Sequence, residues 1–149
     1  MLFMLVVSRR SSTKINFTWR SVDMFSHIVI GTHDIAVAKK FYDAALGAMG
    51  VPEGVANEAK QRVYYRTPTG TLIVAKPIDG NPATVGNGST LGFKCENTDQ
   101  ADAFHDNAVA NGGSSVEDPP GWRDTGDRKL YLAYVRDPSG NKLCAMHHG

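Results

Sequence analysis

Cysteine is scarce in this chain: its 149 residues contain two, Cys95 and Cys144. One potential pair makes no disulfide framework, which excludes the small disulfide-stapled secreted class and points to a reducing, cytoplasmic setting. Long apolar runs are missing as well. The opening MLFMLVV falls far short of the ~20 residues that span a bilayer, so no membrane partner is expected. Charge of one sign is also lacking, because 16 Lys and Arg against 15 Asp and Glu leave a formal net charge of +1 with no basic cluster. A phosphate backbone is held by a broad positive field, so nucleic acid is not an expected partner. There is no CxxC pair, no nucleophile elbow and no phosphate loop. GNGST (Gly86 to Thr90) lacks the lysine of such a loop and leads into a strand rather than a helix.

What is present suits one globular domain: 42% hydrophobic and 21% charged residues in a chain long enough to bury a core but too short for two. Residues 1–23 differ from the rest. Their apolar stretch precedes the basic pair Arg9-Arg10, the reverse of a secretory signal, and no period follows. They read as an N-terminal extension outside the core fold, with the domain proper at 24–149.

The domain repeats itself. Ser26 to Gly50 lies over Ser89 to Gly113 without a gap, with identities at Ser26/Ser89, Ala38/Ala101, Phe41/Phe104, Asp43/Asp106, Ala45/Ala108 and Gly50/Gly113. VYYRTPTGTLIVA (Val63 to Ala75) likewise lies over AYVRDPSGNKLCA (Ala133 to Ala145). Each copy opens with a short apolar strand, about 25–31 and 89–95. Asp34 and Asn97 then stand at equivalent positions as helix N-caps, and Ile35, Ala38, Phe41, Ala45 and Met49 recur at helical spacing. Each copy ends in two strands around a Pro-x-Gly turn. A weaker strand is expected within Val51 to Lys60 and within Ser114 to Glu117. The result is an α+β fold of two tandem βαβββ modules, about 24–80 and 86–148. The stretch SSVEDPPGWRDTGDRK is left as a long loop of the kind that serves as a lid or binding loop.

SHIVIGTHDIAVAKKFYDAALG and YVRDPSGNKLCAMH, in duplicated order, resemble the opening and the ending of the glyoxalase/bleomycin-resistance/dioxygenase (vicinal oxygen chelate) superfamily. The resemblance spans Met24 to about His148. It implies two βαβββ modules curled into a half-open barrel around a cleft, a small organic ligand, and pairing into a homodimer. It also implies metal ligands early in the first strand and on the last strand of each module, which here fall on His27, Val74, Thr90 and Cys144. A Glu expected on the last strand is replaced by Cys144, so the ancestral metal site reads as dismantled. No cofactor is expected, and a divalent ion (Zn, Ni, Mn or Fe) could use at most His27 and Cys144 unless His147 or His148 were recruited.

Strand alternation sends Ile28 and Ile30 toward the helices and His27 into the cleft, where an imidazole suits proton transfer near neutrality. Val74, Thr90, Cys144, Tyr64, Tyr134, Trp122 and Arg123 are the expected pocket-lining residues, whereas Cys95 reads as core. Lys76, Lys94 and Lys142 share the cleft-side alternation and could meet an anion. The reading is a glyoxalase-like small-molecule protein, in its catalytic form a lyase or isomerase acting on a carbonyl compound with His27 as base. The alternative is a non-enzymatic ligand-binding or drug-sequestering protein resembling the bleomycin-resistance proteins.

Overall fold

The computed structural model describes residues 23–149, so the N-terminal extension lies outside the described residues except for Asp23. Module one runs β1 (His27–Gly31), α1 (Ile35–Gly47), β2 (Val55–Asn57), β3 (Arg62–Thr67) and β4 (Gly70–Ala75). Module two runs β5 (Leu91–Lys94), α2 (Thr98–Ala110), β6 (Ser114–Ser115), β7 (Gly121–Asp124), β8 (Lys129–Arg136) and β9 (Lys142–His148). The α+β class and the βαβββ order of module one are those that the sequence predicts, while module two adds one strand, β7, to that order.

The first sheet has the order β1-β4-β3-β2 and the second β5-β9-β8-β6, with β7 also pairing β8. In each, the first strand lies parallel to the last and the remaining pairs are antiparallel. The sheets share no strand pairing and do not close into a barrel. β6 falls within Ser114 to Glu117, where a weak strand is expected, but the rest of the expected long loop contains β7, because GWRD supplies four residues that pair with KLYL of β8.

Both helices start as the sequence predicts. The Asp34 carboxylate accepts from Val37 N–H at 2.9 Å and the Asn97 side chain from Gln100 N–H at 2.8 Å, each satisfying a free donor of the first turn. The helices then pack on each other and on the inner faces of both sheets. One core results: Phe41, Tyr42 and Leu46 of α1, Phe104 of α2, Val63, Tyr65 and Val74 of the first sheet, Val135 and Leu143 of the second. Cys95 lies in this core. Gly113 permits the close approach, since a Cβ there would meet the Phe41 ring at 2.6 Å.

The DPSGN turn between β8 and β9 joins the modules. Asp137, buried, accepts from Tyr42 Oη at 2.6 Å and from the backbone N–H groups of Ser139 and Asn141, each at 2.9 Å. Asn141 Nδ2 donates to Gly31 O at 2.8 Å, and the Ser139 hydroxyl accepts from His33 N–H at 3.0 Å. The end of β1 is thereby fixed against the start of β9. With the helices between them, each sheet turns its second face outward.

Candidate functional site

Side chains of a strand alternate, so cross-strand register defines what each outward face carries. On the first sheet three rows follow. His27, Thr71 and Arg66 form one; Val29, Ile73, Tyr64 and Val55 the next; Gly31, Ala75, Arg62 and Asn57 the last. The first is polar, the second apolar, and the third combines two small residues with a cation. The Arg66 guanidinium stacks 4.5 Å from the centre of the Tyr64 ring.

His27 is exposed on this face while Ile28 and Ile30 turn to the core, as alternation requires. Its Nδ1 lies 2.9 Å from the Ser26 hydroxyl. Where the edges of the two modules meet, a cavity of about 210 Å³ opens beside it. Ile28, Leu46, Leu72, Leu91 and Phe93 give the cavity an apolar interior, and His27 and Thr71 supply polar groups among its lining.

Val74 does not reach this face. It is fully buried in the core, and Ile73 takes the outward position. The cause is one residue in a turn. Thr67 pairs Gly70 across a two-residue loop, whereas Arg136 pairs Lys142 across five, one more than the ungapped repeat alignment allows. A single-residue slip reverses every facing beyond it. Cys144 is therefore the structural counterpart of Ile73.

On the second sheet Gly92, Cys144 and Tyr134 share one outward row, and Leu130, Arg123 and His148 another. Burial is the main cause that raises the Cys144 thiol above its ordinary value, so it stays protonated at neutral pH. Burial also raises Tyr134. Lys142 lies 4.8 Å from the Tyr134 ring centre and donates to Glu117 at 2.6 Å. Thr90 precedes β5 and lines a separate polar hollow with Arg136 and Lys142. Arg123 faces outward, but its guanidinium donates to Pro119 O at 2.8 Å.

Trp122 takes the opposite, helix-side face, against Tyr131 at 5.4 Å and His147 at 6.2 Å between ring centres. Its ring and the Arg123 side chain leave β7 on opposite faces, yet both line a hollow at this edge with Asp124 and Lys129, apart from the cavity beside His27. His147 lies on that helix side too, within β9 and opposite Tyr131. Thus His27 meets the seam cavity, Cys144 and Tyr134 stand together elsewhere, and neither Tyr64, Tyr134 nor Trp122 lines the cavity beside His27. Thr71, Arg62 and Arg66 were not anticipated, although the alternation R-V-Y-Y-R sets both arginines on one face of β3 with Val63 and Tyr65 on the other.

These residues do not suit a divalent metal. Such an ion takes three or four His, Cys or carboxylate donors. The four equivalent places hold His27, Ile73, Thr90 and Cys144, of which Ile73 has no donor atom and Thr90 only a neutral hydroxyl, leaving two standard donors. Arg66 adds a positive charge in the row of His27. Among the described residues no three His, Cys, Asp or Glu side chains gather as a potential metal group. Nor does any described helix have the length and apolarity to cross a membrane.

Two βαβββ units sharing one core, with strand faces turned outward, define a duplicated domain of the vicinal-oxygen-chelate type. The chain belongs to the Glyoxalase/Bleomycin resistance protein/Dioxygenase superfamily, whose family model matches residues 24–145. It is similar to the crystal structure of a glyoxalase/bleomycin resistance protein from Albidiferax ferrireducens, at 56% identity and TM-score 0.80, over 83% of this chain and 98% of that one. A glyoxalase-related enzyme from Fulvimarina pelagi shares the fold at 17% identity and TM-score 0.62, over 82% of this chain and 86% of that one. A lactoylglutathione lyase from Agrobacterium tumefaciens shares it at 17% identity and TM-score 0.56, over 82% and 91%. No curated protein matches the chain.

Proposed function

We propose that this superfamily member binds a small organic carbonyl compound in the cavity beside His27 and acts on it without a resident divalent metal. The observation that carries the reading is the company of His27: a cavity of about 210 Å³ with an apolar interior, and Thr71 as its cross-strand neighbour. Ligand sites commonly combine an apolar lining with a few polar groups that fix orientation. The volume suits a compact ligand. The Thr71 hydroxyl would donate to the carbonyl oxygen, and the imidazole would take a proton from the adjacent carbon, the step shared by isomerases and lyases. The donor chemistry described above supports independence from metal.

A second reading is sequestration of a ligand between two copies of the chain. Its support is the apolar row of the first sheet, where Val29 is 51% and Val55 61% exposed.

The test uses the full chain with hydroxyacetone and 2-oxobutyrate in deuterium oxide. Expected are amide shifts at Ile28, Leu91 and Phe93 and exchange of the protons next to the carbonyl that is lost in His27→Ala. Shifts without exchange would leave binding and remove catalysis on these compounds. No shift at the cavity with either compound counts against the proposed ligand class.

A further inference from the structure

We infer that the far end of the first sheet holds a second site, one that receives a small organic anion. It lies at the last cross-strand row, where Gly31 and Ala75 stand beside Arg62. Residues 76–84, leaving β4, fold back along it. They come so close to β1 that a Cβ on Gly31 would meet that of Ala83 at 2.9 Å. The resulting cavity, about 500 Å³, is bounded by Val29, Arg62, Ala75, Lys76 and Pro82. His27 does not line it; four residues of strand, about 13 Å, separate the two rows.

The chemistry of the hollow is unbalanced. Arg62 Nε is shut off from solvent and has no hydrogen-bond partner among the described residues. No carboxylate among them lies within ion-pair distance of its guanidinium, although the lysines and arginines around Asp43, Glu117 and Asp118 find theirs. Asp79, the acid in the wall, is occupied in its own turn, accepting from Asn81 N–H at 2.9 Å and Asn81 Nδ2 at 3.1 Å. Lys76 adds a second cation to the lining. Buried polar groups are almost always satisfied, and a desolvated guanidinium donor left alone is costly. The Arg62 guanidinium lines the cavity, and its planar fork matches oxygen anions, a carboxylate above all, with room for the acid's body against Val29 and Pro82.

Sodium benzoate, its neutral analogue benzamide, and inorganic phosphate are titrated into the full chain, with backbone amides and the Arg62 Nε–H followed by NMR. Benzoate is expected to move Gly31, Ala75 and Arg62 Nε–H, to bind about tenfold more tightly than benzamide, and to weaken by a similar factor in Arg62→Met. Lys76→Met, at an exposed position, is expected to weaken it less. His27→Ala leaves it unchanged, so failure here and failure at the His27 cavity are separate results. Phosphate binding at the same amides with benzoate inert would assign the anion as a phosphate instead of a carboxylate and overturn that part. The unliganded Arg62→Met protein is expected to melt at or above the wild-type temperature, because an unsatisfied charged donor is removed. A purely structural arginine would give a lower one. Equal affinity for benzoate and benzamide together with no response to phosphate, or full benzoate affinity in Arg62→Met, overturns the inference.

Discussion

Cys144 occupies the position where the family resemblance places a carboxylate, and its environment decides what a thiol can do there. It is buried beside Tyr134, and burial holds its proton in place; Cys95 is pushed up to about 11, chiefly by the same cause. A thiolate is the reactive form. Both cysteines are therefore expected to resist iodoacetamide in the folded protein at pH 7.5 and to react fully in denaturant, a difference that intact-protein mass spectrometry reads directly. Rapid native labelling of Cys144 would show an access or an activation that its surroundings do not provide. His27 differs in being exposed, with a cavity beside it, which is why the proposed chemistry rests on it.

Between elements, two carboxylates hold the modules in shape. Asp43 of α1 accepts from Tyr65 Oη of β3 and from Gly54 N–H, each at 2.9 Å, and pairs with Lys39 within its own helix. Burial opposes its ionisation, yet the bonds from Lys39, Gly54 and Tyr65 outweigh it and lower its pKa. A lowered folded value means that the stabilisation is complete above the unfolded pKa of about 3.9 and disappears as pH falls through the folded value. Asp43→Ala should cost about 1–3 kcal/mol near neutrality, and the gap from wild type in urea unfolding should narrow as pH falls below the unfolded value and through the lowered folded one. A gap independent of pH would mean that packing, not charge, is what the substitution removes. Asp137→Ala should cost more, about 3–4 kcal/mol, because it strands the buried Tyr42 hydroxyl and loosens the DPSGN turn together. Tyr42→Phe should cost less, since the remaining donors still satisfy the carboxylate.

At the scale of the molecule, the repeat, the caps and the alternation of β1 were legible because each depends on local spacing. The facing of Val74 was not, since it depends on a turn one residue longer in the second copy, invisible until register is known. The loop reading of Gly121 to Asp124 failed for a related reason: four residues show little period, and only their pairing with β8 makes them a strand. Arg62 and Arg66 were legible in principle and passed over for aromatic neighbours. A homodimer remains a proposal, supported by the exposed apolar row of the first sheet. Light scattering with size exclusion is expected to give twice the 16.1 kDa chain mass, and Val29→Lys with Val55→Lys to shift it toward one. A wild-type monomer at high concentration would leave that row without a copy to cover it.

The extra residue in the second turn also bears on how the halves can evolve. Tandem repeats in a gene tend to be homogenised when one copy is recombined over the other. Writing the TPTG hairpin over the DPSGN one would shorten it by a residue, bring Cys144 inward and Leu143 outward, and remove the Asn141 bond to β1. Such recombinants would lose their core, so the halves are bound to change one point mutation at a time. His27 against Thr90, and Ile73 against Cys144, are the unlike residues that such independent change leaves at corresponding places of the two copies.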